Sequence, residues 1–123
     1  MSGSRQQVIG KWGESLAADF LSEKGYKILA RNFRTEYGEI DLIVTREDVL
    51  IFVEVKTRTS NEFGYPEDAI TKQKKEHLLY SAQAYLQNHP EFEGDWRIDV
   101  IAIWQKDRNA PQQIIHFENA LTS

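Results

Sequence analysis

Gly38-Glu39-Ile40-Asp41-Leu42-Ile43-Val44 and Ile51-Phe52-Val53-Glu54-Val55-Lys56-Thr57-Arg58 are two apolar runs interrupted by charges at every second position. Side chains alternate faces along a strand, so Glu39 and Asp41 share one face of the first run, and Glu54 and Lys56 share one face of the second. A tight turn centred between Glu47 and Asp48 sets Asp41 opposite Glu54 and Glu39 opposite Lys56. Opposed Cβ atoms stand about 5 Å apart, and like charges there destabilise a hairpin. A divalent cation held by oxygen ligands supplies the missing counter-charge, and Mg²⁺ takes one or two carboxylates with water and substrate phosphate. The plainer reading makes these rim charges, with Lys56 neutralising Glu39 or Glu54 in an exposed pair of little energetic weight.

Outward from this hairpin, Val8, Ile9, Trp12, Leu16 and Phe20 recur at helical spacing, which predicts a helix from about Gln6 to Lys24 closed by Gly25. Gly10, Gly13, Ala17 and Leu21 form a second stripe on it, with Glu14 at its edge. Glycine inside a helix costs about 1 kcal/mol relative to alanine, so a close packing contact is expected there, carrying Glu14 against the sheet; a solvated Glu14 is the alternative. Strands are expected at Tyr26 to Ala30, Glu39 to Thr45, Val49 to Thr57, Trp96 to Trp104 and Gln113 to Phe117. Asn61 to Asp68 reads as a loop, and Thr71 to Asn88 as a second helix ended by Pro90. The order α-β-β-β-α-β-β predicts an α/β fold, a mixed central sheet flanked by helices that close one core.

Thr71-Lys72-Gln73-Lys74-Lys75 places three lysines in the first turn of that second helix, against its macrodipole. A helix N-terminus with added cations suits phosphate, although a merely solvated face is also consistent with the pattern.

The chain has 123 residues, the size of a single domain, with residues 1–4 and 121–123 expected to fray. It has no cysteine and three scattered histidines, which excludes thiol catalysis, disulfides and histidine-paired metal motifs and leaves oxygen ligands for any cation. No apolar run approaches the roughly 18 residues of a membrane span, and no secretory leader is evident, so a cytoplasmic location is expected. A net charge of −4 provides no global basic footprint, so nucleic acid must be met by a local patch.

Taken together, Gly13-Glu14, Gly25-Tyr26, Arg31-Asn32, Gly38 to Ile43, Phe52 to Arg58, Gly64 with Pro66 and Ala69, Lys74, Tyr85-Leu86, and Arg97 with Asp99-Val100 resemble the YraN-like family of predicted endonucleases. That family is similar to archaeal Holliday-junction resolvases and belongs with the PD-(D/E)xK, restriction-endonuclease-like nucleases. It usually has proline before the aspartate; here Ile40 stands there, and Asp41 remains the matching acid.

The resemblance implies a restriction-endonuclease-like core and a DNA endonuclease dependent on Mg²⁺ or Mn²⁺, acting on branched or structured DNA. Asp41 and Glu54 would bind metal, joined by Glu14 and the Val55 carbonyl; Lys56 would position or activate the attacking water. Glu39 would support these groups from behind, and Arg58, Lys72 and Lys74 would hold the phosphate backbone. The chain would act as a monomer or a homodimer. A non-catalytic nucleic-acid- or protein-binding module that retains the fold is the alternative, and an RNA-directed nuclease would use the same site.

Overall fold

The computed structural model describes residues 5–58, 71–105 and 109–120, with side chains from residue 8 onward. Helix α1 spans Arg5–Glu23, followed by strands β1 (Lys27–Thr35), β2 (Gly38–Arg46) and β3 (Val49–Arg58), helix α2 (Lys72–Gln87), and strands β4 (Trp96–Trp104) and β5 (Gln113–Phe117). The expected mixed sheet and element order are found. The expected loop at Asn61 to Asp68 lies outside the described residues.

The strands form one sheet in sequence order, with β3 and β4 parallel and the other neighbours antiparallel. Parallel neighbours require a crossover, which α2 provides. The near-continuous apolar runs of β3 and β4 belong to strands covered on both faces. On one face, Ala17, Ala18 and Leu21 of α1 pack with Leu42, Val44, Ile51, Val53, Val55, Ile101 and Ile103. On the other, Leu78, Ala82 and Tyr85 of α2 pack with Ile40, Ile43, Leu50, Phe52 and Ile98. Alternation along β3 thus sends Ile51, Val53 and Val55 toward α1, and Leu50 and Phe52 toward α2. Among the described residues no helix is long and apolar enough to cross a membrane.

Helix α1 ends as expected. Gly25 adopts φ +92°, Gly25 N–H donates to Ser22 O and Tyr26 N–H to Leu21 O, and the Tyr26 and Leu21 side chains meet in the core. Val8, read as part of the apolar stripe, is instead exposed. Strand β1 runs past Ala30 to Thr35, because its polar second half pairs with β2 on the sheet edge, where charged side chains are tolerated.

The β2–β3 hairpin has the predicted register: Arg46 opposes Val49, and pairing continues to Leu42 opposite Val53. Glu47 (φ +53°) and Asp48 (φ +66°) are both left-handed, as a two-residue type I′ turn requires. The recorded pairing stops at Leu42–Val53, one step before Asp41 and Glu54.

Candidate active site

The end of that ladder creates the site. Instead of a β2 carbonyl, the Asp41 side chain takes the Val55 N–H, which donates to Asp41 Oδ2 at 2.8 Å. Helix α1 then brings Glu14 alongside, because Gly13 leaves room for close approach: a Cβ there would collide with the Thr57 side chain on β3. The expectation for Gly13 holds, whereas a Cβ at Gly10 would meet nothing within 4 Å. Carboxylate oxygens of Glu14, Glu39 and Asp41 all lie within 4.8 Å of one another.

Glu54 stands beside this cluster in deeper surroundings, only 4% exposed. Its Oε1 lies 3.4 Å from Lys74 Nζ on α2 and 3.6 Å from Lys56 Nζ on β3. Its Oε2 is buried and has no hydrogen-bond partner among the described residues. An orphaned buried carboxylate oxygen is uncommon in a folded protein, where most such atoms are satisfied.

The electrostatics follow from crowding acids in a partly dry place. Burial, reinforced by the charge of Glu54, pushes the Asp41 carboxyl up to about 7, against the opposing Val55 N–H and Lys74 ammonium. Burial also raises Glu54, with Lys74 and Lys56 working the other way. Glu14 is raised by burial and by the charges of Asp41 and Glu39, while Asn32 and Arg31 oppose the shift. Asn32 has φ +52°, a left-handed conformation that asparagine tolerates better than most residues. Its side chain lies close enough to Glu14 to oppose the rise of that carboxyl.

Asp41, Glu54, Lys56, Glu14 and Val55 are therefore brought together. Val55 joins through its N–H. Glu39 is not held across from Lys56, as the extended register would have it. Freed where the ladder ends, it enters the acidic cluster and pairs with the exposed Arg34 at 3.4 Å, while Lys56 turns to Glu54. The three expected phosphate contacts separate. Lys72 is exposed, Arg58 donates to the Thr57 carbonyl at 3.0 Å, and Lys74 faces Glu54. Asn32 was given no role by the sequence, since a single asparagine in a polar stretch carries no periodic signal; its left-handed backbone is visible only in three dimensions.

Residues 13–103 match the family described as Uncharacterised protein family UPF0102. The chain belongs to this family. It is 47% identical over 112 residues to the UPF0102 protein of Syntrophomonas wolfei, covering 91% of this chain and 96% of that one. It is 40% identical over 115 residues to the UPF0102 protein of Caldicellulosiruptor saccharolyticus, covering 94% and 98%. A solved structure of Pyrococcus furiosus SfsA in complex with Ca²⁺ aligns with 92% of this chain and 63% of its own length, at 16% identity and a TM-score of 0.40.

Proposed function

We propose that this UPF0102 protein is a nuclease that hydrolyses phosphodiesters of DNA with Mg²⁺ or Mn²⁺. The observation that carries this reading is the buried Oε2 of Glu54, without a hydrogen-bond partner among the described residues, beside the Glu14, Glu39 and Asp41 carboxylates. Folding gains nothing from crowding four acids and leaving one oxygen unsatisfied, whereas a hard cation needs such donors. The donor set consists entirely of oxygens, which suits these ions. Asp41, Glu54 and Glu14 would hold the cation, with Glu39 at the margin and the Val55 carbonyl as a further donor. When bound, such a cation polarises the phosphate and lowers the pKa of water.

The chain's own groups divide the remaining work. Lys74 and Lys56 hold Glu54 through Oε1 and leave Oε2 free to face a ligand. The Lys56 ammonium, on the same strand, orients the attacking water and offsets negative charge growing on the phosphate. Arg58 and Lys72 meet the neighbouring phosphates. Among the described residues no helix stands out as a sequence reader, and backbone shape is the target this reading assigns, as in branched or otherwise structured DNA.

Branched, flapped, single-stranded and duplex DNA incubated with Mg²⁺, Mn²⁺ or EDTA test this. Cleavage is expected with either cation, suppressed by EDTA and by Glu54→Gln. Binding without cleavage on every substrate would instead identify a non-catalytic module.

A further inference from the structure

The turn between β1 and β2 is fastened to α2 beside the acidic cluster. Thr35 Oγ1 lies 2.8 Å from the Ser81 hydroxyl, donates to Gly38 O at 3.0 Å and accepts from Tyr37 N–H at 3.0 Å. Gly38 takes φ +134°, and a Cβ there would stand 4.0 Å from that of His77, so α2 passes directly over the turn. The consequence is an exposed aromatic pair: the Tyr37 and Tyr80 rings lie 5.3 Å apart at 44°, 41% and 46% exposed. Rings paired in this way, yet left open to water, add little to the core. Their surroundings, Arg34, Glu36 and His77, are polar, so this is a pair of ring faces rather than an apolar docking surface.

Tyr37 is two residues from Glu39, which spans at most about 7 Å of chain. That reach is comparable to neighbouring nucleotides of an unstacked strand. We propose that Tyr37 and Tyr80 form a stacking platform for an unpaired base next to the acidic cluster, which makes single-stranded or locally opened nucleic acid the substrate class. The proposal rests on the nuclease reading for the role of the cluster, but base stacking itself needs neither metal nor cleavage. Bases of any sequence offer a ring face, so the platform selects for unpaired structure and not for sequence.

The test is fluorescence anisotropy with fluorescein-labelled oligothymidylate and a duplex of the same length, in EDTA at low salt. Tyr37→Ala with Tyr80→Ala should weaken single-strand binding about tenfold or more and change duplex binding by less than about twofold. Tyr37→Phe with Tyr80→Phe should bind like the parent, because the ring faces remain. Tyr37→Leu with Tyr80→Leu keeps apolar bulk without a stacking face, and carries the test if the alanine variant unfolds. The platform is overturned by unchanged single-strand binding in the leucine variant, by equal loss on duplex, or by a parent that binds neither probe. It is also overturned if the variants abolish self-association of the parent, which would make the pair a contact between copies. Because binding is read without metal, absence of cleavage in the nuclease assay would remove the catalytic reading and leave the stacking result standing.

Discussion

Burial and the neighbouring Glu54 charge push the Asp41 carboxyl up to about 7, which makes the stability of the metal-free protein depend on pH. Its folded value lies above the ordinary 3.8, so the native state binds more protons than the unfolded chain between these limits. The contribution is complete below the unfolded value and is lost as pH rises through about 7. Glu14 and Glu54, raised in the same direction, add to the trend. In EDTA, melting temperature should therefore decline between pH 5 and 8, and Asp41→Asn should flatten that decline. Saturating Mg²⁺ should stabilise the parent most at the upper end, where the carboxylates no longer hold protons. Calorimetric scans across that range check this; equal pH slopes in parent and Asp41→Asn would remove Asp41 as its source. The two ammoniums on Glu54 make a second residue-scale case. Lys56→Ala and Lys74→Ala each leave one counter-charge and should cost about 1 kcal/mol or less, whereas the double variant leaves none and should cost more than their sum. Lys56→Ala alone should reduce cleavage by orders of magnitude. Urea titrations and single-turnover assays measure both; additive stability effects would mean that the lysines do not share Glu54.

At the scale of elements, α1 separates two glycines that read alike in the sequence. Gly13→Ala drives a methyl into Thr57 and should destabilise by about 1–3 kcal/mol, as overpacking does, and displace the adjacent Glu14. Thr57→Ala should restore most of that loss. Gly10→Ala meets open space and should stabilise by up to about 1 kcal/mol through helix propensity alone. Denaturant midpoints of the four variants decide it, and a harmless Gly13→Ala would mean that α1 is not held against β3 there. The same elements mark what was legible beforehand. Strand positions, the Glu47–Asp48 turn and the hairpin register follow from alternation and turn chemistry, both local properties of the chain. The approach of Asn32 to Glu14, the release of Glu39 from Lys56 and the reach of Lys74 to Glu54 involve five elements. No spacing along one element encodes such contacts. Lys74 shows why the helix-terminus pattern falls short: a lysine against the macrodipole suggests phosphate, while a buried carboxylate on the strand beneath α2 supplies its counter-charge.

Across the whole molecule, adjacent strands carry two buried carboxylates with opposite surroundings. Asp99 on β4 is fully buried and satisfied: Arg97 Nε lies 2.9 Å from Oδ1, His116 Nε2 2.7 Å from Oδ2, and Asn119 N–H donates to Oδ1 at 2.8 Å. Burial alone would raise its pKa, but the bonds from His116, Arg97 and the Asn119 backbone outweigh it and hold Asp99 below the ordinary value. Glu54 on β3 is raised and has one oxygen without a partner among the described residues. The first arrangement ties β4 to β5 and the chain beyond it; the second stores unfavourable free energy where a ligand can relieve it. Neutralising these two acids should therefore act in opposite directions. Asp99→Asn replaces an acceptor oxygen with a donor facing Arg97, His116 or Asn119 and should destabilise by about 2–4 kcal/mol, with the stabilising effect of Mg²⁺ retained. Glu54→Gln removes a poorly satisfied buried charge and should leave the metal-free protein as stable as the parent or more so, while abolishing the gain from Mg²⁺. Urea denaturation of parent and both variants, with Mg²⁺ and with EDTA, gives all six stabilities. If Glu54→Gln destabilised the metal-free protein as much as Asp99→Asn does, Glu54 would belong with Asp99 among the groups that hold the fold together, and the strain assigned to it would be absent.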